Sequence, residues 1–243
     1  KRKSRITINN LKENKLKVKL VSYSQPSKEF LQEGLDDVQD LIAYAARVSN
    51  PSNQFNTETS TRLLNYLAKH AHWSPFEMVS ACLEIETTRD IARQILRHRS
   101  FSFQEFSQRY ADPVKDLEFE IRECRLQDKQ NRQNSIELDE DSRYDTELKT
   151  EWALAQERVI IEARKAYKWA IENGIAKEQA RAVLPEGLTK SRMYMNGTIR
   201  SWIHYIELRA ANGTQKEHME IAREVARAIT EIFPLAEEYI DNV

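Results

Sequence analysis

Fourteen consecutive residues hold the densest set of groups able to do chemistry: Arg97-His98-Arg99-Ser100-Phe101-Ser102-Phe103-Gln104-Glu105-Phe106-Ser107-Gln108-Arg109-Tyr110. A hydrophobic core has no use for such a run, because Arg and Glu are almost never buried without a partner. Guanidinium forks present paired donors to phosphate oxygens. Ser and Gln fix orientation by hydrogen bonding, and the interleaved aromatic rings suit a ring. The stretch reads as a site for an anionic, ring-bearing ligand. Ser107 invites a nucleophilic reading, but no His is placed by sequence to activate it. A second constellation, His70-Ala71-His72-Trp73-Ser74-Pro75-Phe76-Glu77, sets two His beside Trp and Pro. No further His or Cys supports a metal there, so it reads as a loop at a binding cleft.

Regular elements must position these groups. Residues 78–86 alternate Val79, Ala81, Leu83 and Ile85 with Ser80, Cys82, Glu84 and Glu86, the period of a half-buried strand. Residues 88–97 read as a short helix capped by Thr87 or Thr88, with Ile91, Ala92, Ile95 and Leu96 as its buried stripe. Gln94 and Arg97 are three apart and share a neighbouring face. This strand and helix deliver them together into the fourteen-residue stretch.

Residues 17–23 read as a first strand. Helices follow from Asp36 and Asp37 to Val48, stopped by Pro51, and over 57–71. Residues 116–123 alternate as another strand, and the nearly all-polar 125–143 reads as a mobile surface insert. A long helix over 147–173, closed by Gly174, spans about 40 Å at 1.5 Å per residue. Its seam of Trp152, Ala155, Val159, Ala163, Ala166 and Ala170 suits close packing, within the chain or against another subunit. Then come a short helix over 175–184, a candidate strand over 189–195, and helices over 199–211 and 216–233. Arg200 and His204 share a face of the 199–211 helix. Arg209 lies about 180° round from Arg200, so one helix cannot aim both Args at one point. The elements mix without regular alternation, which predicts an α+β fold in a single domain, with a mixed or antiparallel sheet and several long helices.

The bulk composition narrows the function. The 243 residues are 40% hydrophobic and 31% charged with a net charge of −1, a globular composition with no general affinity for polyanions. Two cysteines make no disulfide framework and point to a reducing, cytoplasmic setting. No apolar run reaches the roughly 20 residues of a membrane span. The basic start, residues 1–15, reads as a flexible tail.

Arg-His-Arg, seven residues, then Ser-x-Arg-Tyr resembles the signature of the flavin-dependent thymidylate synthases. The resemblance runs from residue 45 to about 217. It takes in Ala45-Ala46-Arg47-Val48-Ser49, His72-Trp73-Ser74-Pro75-Phe76-Glu77, Ala92-Arg93-Gln94, Ala180-Arg181-Ala182-Val183-Leu184-Pro185, and Arg200-Ser201-Trp202 through Leu208-Arg209-Ala210. It implies a homotetramer, with sites shared between subunits, that converts dUMP to dTMP. The methylene group comes from 5,10-methylenetetrahydrofolate, NADPH is the reductant and FAD the carrier.

Residue by residue, the resemblance assigns dUMP contacts to Gln94, Arg97, Glu105, Ser107, Arg109 and Arg181, and backbone contacts to Phe106 and Gln108. It assigns FAD contacts to Ser74, Arg97, His98, Arg99, Glu105, Arg200 and His204. Arg209 matches an Arg that polarises the uracil ring, and His72 a His lining the folate and flavin pocket. Thr198 stands where many members have Asn and is carried as an FAD contact. No metal, nucleic acid or membrane partner is implied. The segment after Arg209, Ala210-Ala211-Asn212-Gly213-Thr214-Gln215-Lys216-Glu217-His218, departs from the family pattern. Rival readings are a nucleic-acid-binding domain stacking bases on Phe101, Phe103 and Phe106, a helical scaffold, and a flavoprotein of this fold without synthase activity.

Overall fold

The computed structural model describes residues 17–211 and 213–239; the expected basic tail lies outside them. Its centre is a four-stranded antiparallel sheet of β1 (Val18–Tyr23), β2 (Ser80–Thr88), β6 (Lys190–Thr198) and β3 (Ser102–Glu105), in the order β1-β2-β6-β3. In β2 the alternation is realised: Ala81, Leu83 and Ile85 are buried, while Ser80, Cys82, Glu84 and Glu86 are half-buried. On β6, Met193 and Met195 join the buried face. The opposite face is polar, with Arg192 paired to Glu86 and the Tyr194 hydroxyl donating to Glu84 at 3.0 Å. A sheet with one apolar face needs cover on one side only.

Two helices supply that cover directly from the central strands. Strand β2 runs into α4 (Arg89–Ile95), and β6 runs into α8 (Ile199–Arg209). Since β2 and β6 are antiparallel, with Ser80 opposite Thr198 and Thr88 opposite Lys190, α4 and α8 start from opposite ends of the pair. Helices α2 (Val38–Ala46), α3 (Ser60–Lys69) and α9 (Lys216–Thr230) complete the layer. Trp202 lies at its centre, fully buried, its indole N–H donating to the Ala81 carbonyl at 3.1 Å. Burial of one such side chain contributes about 1.5–3 kcal/mol.

Outside this body lie α1 (Lys28–Gln32), α5 (Pro113–Asp116), the long α6 (Arg143–Glu172) and α7 (Lys177–Ala180). The α+β architecture agrees with the sequence reading, and the sheet is antiparallel. Three expectations need correction. Residues 116–123 form no strand beyond a single bridge from Phe119 to Thr189. Leu117 and Phe119 are buried as the alternation requires, but Glu118 between them has φ +64°, which turns the chain out of extended geometry. The polar stretch 125–143 is not structureless: β4 (Arg125–Gln127) pairs with β5 (Ser135–Glu137). Lys216 pins the hairpin to α9 through Glu137 at 2.5 Å. Helix α6 begins earlier than expected, at Arg143, because Ser142 caps it by accepting from the Asp145 N–H.

Candidate active site

The fourteen-residue stretch leaves α4, turns through His98 to Ser100, and re-enters the sheet as the edge strand β3. Sequence reading took this stretch for a binding loop, yet its aromatics anchor it. Phe101 is buried and packs edge-on against Trp202 at 4.6 Å, and Phe103 packs against the same core. Those two rings are not free to stack on a ligand. The anchored rings leave Ser102, Gln104 and Arg109 exposed, while Glu105 and Ser107 are half-buried.

Glu105 is held by a hydrogen bond from the Ser191 hydroxyl at 2.7 Å and by buried Arg89 at 3.5 Å. The Phe106 N–H is committed to the Arg192 carbonyl at 2.8 Å. Ser107 Oγ accepts from the Arg109 N–H at 3.4 Å, and among the described residues no hydrogen bond joins it to a His. Gln108 is buried, with its Nε2 unpartnered among the described residues. Arg109 pairs with the Glu178 carboxylate at 3.3 Å, while Arg181 Nε donates to the Glu178 carbonyl at 3.3 Å. One residue of α7 thus brings two exposed or half-exposed guanidinium groups together. Arg97 and Arg99 are exposed and make no ion pair among the described residues.

Beneath this surface lies a more buried cluster. Arg209, at the end of α8, donates from Nε to His98 Nε2 at 2.9 Å. Burial, then the charges of Arg209 and Arg97, hold the His98 pKa down to about 4, so the ring is neutral at neutral pH and has a lone pair to accept with. That bond fixes the guanidinium through Nε, and among the described residues no hydrogen bond or ion pair takes its two terminal nitrogens. Tyr205 and His218 are fully buried beside it, the Tyr205 hydroxyl 3.1 Å from His218 Nε2. His218 Nδ1 lies 3.3 Å from Gln94 Oε1. Sequence reading missed His218. The available signal was its spacing, three residues before Ile221 and seven before Val225 on the apolar stripe of α9.

The remaining expected residues gather near the other end of α8. Arg200 pairs with Glu77, and exposed His204 meets Trp73 edge-on at 4.9 Å. Both partners belong to the turn that carries His72 and Ser74, which are exposed. Thr198 caps α8: its hydroxyl accepts from the Ser201 N–H at 3.3 Å and donates to Ser201 Oγ at 3.2 Å. Helix α8 is uninterrupted, so its rise separates Arg200 from Arg209 by about 13 Å. Among the described residues, no hydrogen bond, ion pair or ring contact joins His72 to the fourteen-residue stretch.

Two open cavities border these groups. One, of about 590 Å³, is lined by apolar residues including Tyr44, Val48 and Met78, with Ser74 at its edge. Another, of about 450 Å³, lies between Gln215 and Glu217 on one side and Trp152, Ala155 and Val159 of α6 on the other. Exposed guanidinium groups such as Arg97 and Arg99 are donors that suit phosphate oxygens, and an apolar cleft suits a planar ring. Among the described residues, no three His, Cys, Asp or Glu are grouped so as to hold a metal. None of the described helices is long and apolar enough to cross a membrane.

Comparison with known proteins places the chain in a family. The family model for thymidylate synthase complementing protein matches residues 30–235. A probable flavin-dependent thymidylate synthase of Paramecium bursaria Chlorella virus 1 is 46% identical over 94% of this chain and all of its own. The flavin-dependent thymidylate synthase of Synechocystis is 46% identical over 89% of this chain and 95% of its own. Among solved structures, the UMP/dUMP methylase PolB of Streptomyces cacaoi with bound 5-Br UMP superposes with a TM-score of 0.72. It is 25% identical and covers 93% of each chain.

Proposed function

The chain belongs to the thymidylate synthase complementing protein family, and from that premise we propose that it methylates dUMP to dTMP as a flavin-dependent thymidylate synthase. In this reading 5,10-methylenetetrahydrofolate donates the carbon, NADPH is the reductant and FAD is the flavin. The chain acts as one domain within a homotetramer whose sites draw on several subunits. FAD, when bound, supplies the redox chemistry that completes a methyl group.

The protein's own residues bind and polarise. Arg109 and Arg181, joined through Glu178, take the nucleotide phosphate. Gln94, Arg97, Glu105 and Ser107 complete the dUMP contacts, with Phe106 and Gln108 contributing backbone. Ser74, Arg97, His98, Arg99, Glu105, Thr198, Arg200 and His204 serve FAD, and His72 lines the folate and flavin pocket. Uracil C5 is a poor nucleophile. Arg209 at the ring's N3 and O2 edge stabilises the negative charge that makes C5 reactive, so no enzyme nucleophile attacks the ring. Ser107, with no base hydrogen-bonded to it among the described residues, hydrogen-bonds instead.

The observation that carries this reading is the pairing of Arg209 with a neutral His98, which leaves a fixed, chemically free guanidinium in the buried cluster. The test is the visible spectrum of the purified protein incubated with FAD. A flavin band that NADPH bleaches without oxygen and dUMP perturbs supports the reading. A protein that stays colourless contradicts it.

A further inference from the structure

His218 is a fully buried histidine to which the proposed function gives no role. Its surroundings form a chain of hydrogen bonds whose direction can be worked out from one end. Glu217 sits between Arg125, 2.6 Å away, and Arg122, 3.3 Å away. Burial alone would raise its pKa, but hydrogen bonds to its own backbone and Gln215, with the two Args, bring it below the usual value. Glu217 is therefore a carboxylate, and a carboxylate only accepts.

Gln215 lies 2.9 Å away and must present its NH₂ to Glu217, so its oxygen turns toward Gln94. Gln94 then gives its own NH₂ to that oxygen, at 2.8 Å, and turns its Oε1 to His218. That oxygen also only accepts, so His218 carries its proton on Nδ1, 3.3 Å away. Its Nε2 lone pair is left to accept from the Tyr205 hydroxyl at 3.1 Å. Burial raises the Tyr205 pKa and keeps that hydroxyl protonated. Every amide and tautomer is fixed by its neighbour.

We infer that His218 is a positioning residue for the nucleotide site: it holds the Gln94 amide with its oxygen inward, so that Gln94 offers a bound nucleotide an N–H donor. The inference rests on the reading of Gln94 as a dUMP contact. The Gln94 NH₂ has a second hydrogen beyond the one given to Gln215, and Gln94 is half-buried at the mouth of the cluster. Gln215 and His218 hold the amide from its two ends. Without the Nδ1–H only the bond to Gln215 remains. An amide held at one end swings its NH₂ away from the ligand or turns its oxygen toward an acceptor atom, which repels it.

The two ring nitrogens can be tested separately. In His218→Asn the side-chain amide sits near the place of Nδ1 and keeps a donor for Gln94 while losing Tyr205. In His218→Gln the amide reaches the place of Nε2, keeps Tyr205 and loses Gln94. Each variant gives up one buried hydrogen bond, so each controls for the other's stability loss, read by thermal melting. Calorimetric titration with dUMP is expected to show His218→Gln weakened about tenfold or more and His218→Asn below about threefold. In a Gln94→Ala background, His218→Gln should cause no further loss, because residues acting through one another are non-additive. Equal weakening of both variants, or full additivity with Gln94→Ala, overturns the inference while leaving the proposed function standing. Failure of the wild-type protein to bind dUMP overturns both.

Discussion

Arg209 and Ser107 divide the chemistry at the scale of single residues. A planar guanidinium anchored through Nε presents two coplanar donors, whereas an ammonium presents a point charge. Arg209→Lys should therefore lower the turnover rate about a hundredfold, with the dUMP affinity falling less, as measured by steady-state kinetics. Ser107→Ala should weaken dUMP binding by about tenfold or less while turnover at saturating substrate persists. Complete loss of turnover in that variant would restore the nucleophile. His98 carries a pH signature. Its folded pKa, about 4, lies below the ordinary histidine value. Stability from its neutral form is fully present above about pH 6.5 and is lost as pH falls toward 4. Denaturant midpoints should drop through that window, and His98→Asn should flatten the slope. The Arg side chains and His98 were legible as a candidate set for an anionic ligand from their types and spacing. Tyr205 and His218 were not, because a buried Tyr or His on an apolar stripe looks like core until its partners are known.

At the scale of elements, the site depends on how β6 and the fourteen-residue stretch meet. Gly197 on β6 lies against Phe101, and a Cβ built there would stand 2.3 Å from the ring. Gly197→Ala must push Phe101 off Trp202. We expect a loss of about 1–3 kcal/mol by urea unfolding, together with weaker flavin binding, because Phe101 anchors the turn from His98 to Ser100. Retained stability and binding would show that the anchor is dispensable. Strand β2 and the helices α4 and α9 were readable because period and burial agree there. Strand β3 was hidden, since its Ser, Phe, Gln and Glu alternate weakly within a string that reads as binding chemistry. The expected strand at 116–123 had the right period, but the turn at Glu118 overrode it.

At the scale of the whole molecule, α6 bears on assembly. Trp152 and Val159 are exposed on one face, and Leu154, Ile161 and Trp169 on another. Ala163, Tyr167 and Ala170 are buried, and Tyr167 and Ala170 pack with Ala180 at the end of α7. The seam legible in the sequence is therefore partly satisfied within the chain, and large apolar side chains of α6 stay exposed. Light scattering should give a tetramer, and Trp169→Glu with Ile161→Glu should shift it to smaller species and lower activity together. The expectation of a homotetramer rests on the resemblance and not on the α6 pattern, because one chain's pattern does not say whose surface covers it.

The most direct test of the central claim is product analysis. Purified protein would be incubated without oxygen with FAD, NADPH, 5,10-methylenetetrahydrofolate and isotopically labelled dUMP, and the nucleotides separated. The account predicts labelled dTMP, dependent on FAD and strongly reduced in Arg209→Lys. Bound flavin and bound dUMP with no dTMP formed would contradict it and leave a binding protein of the same fold.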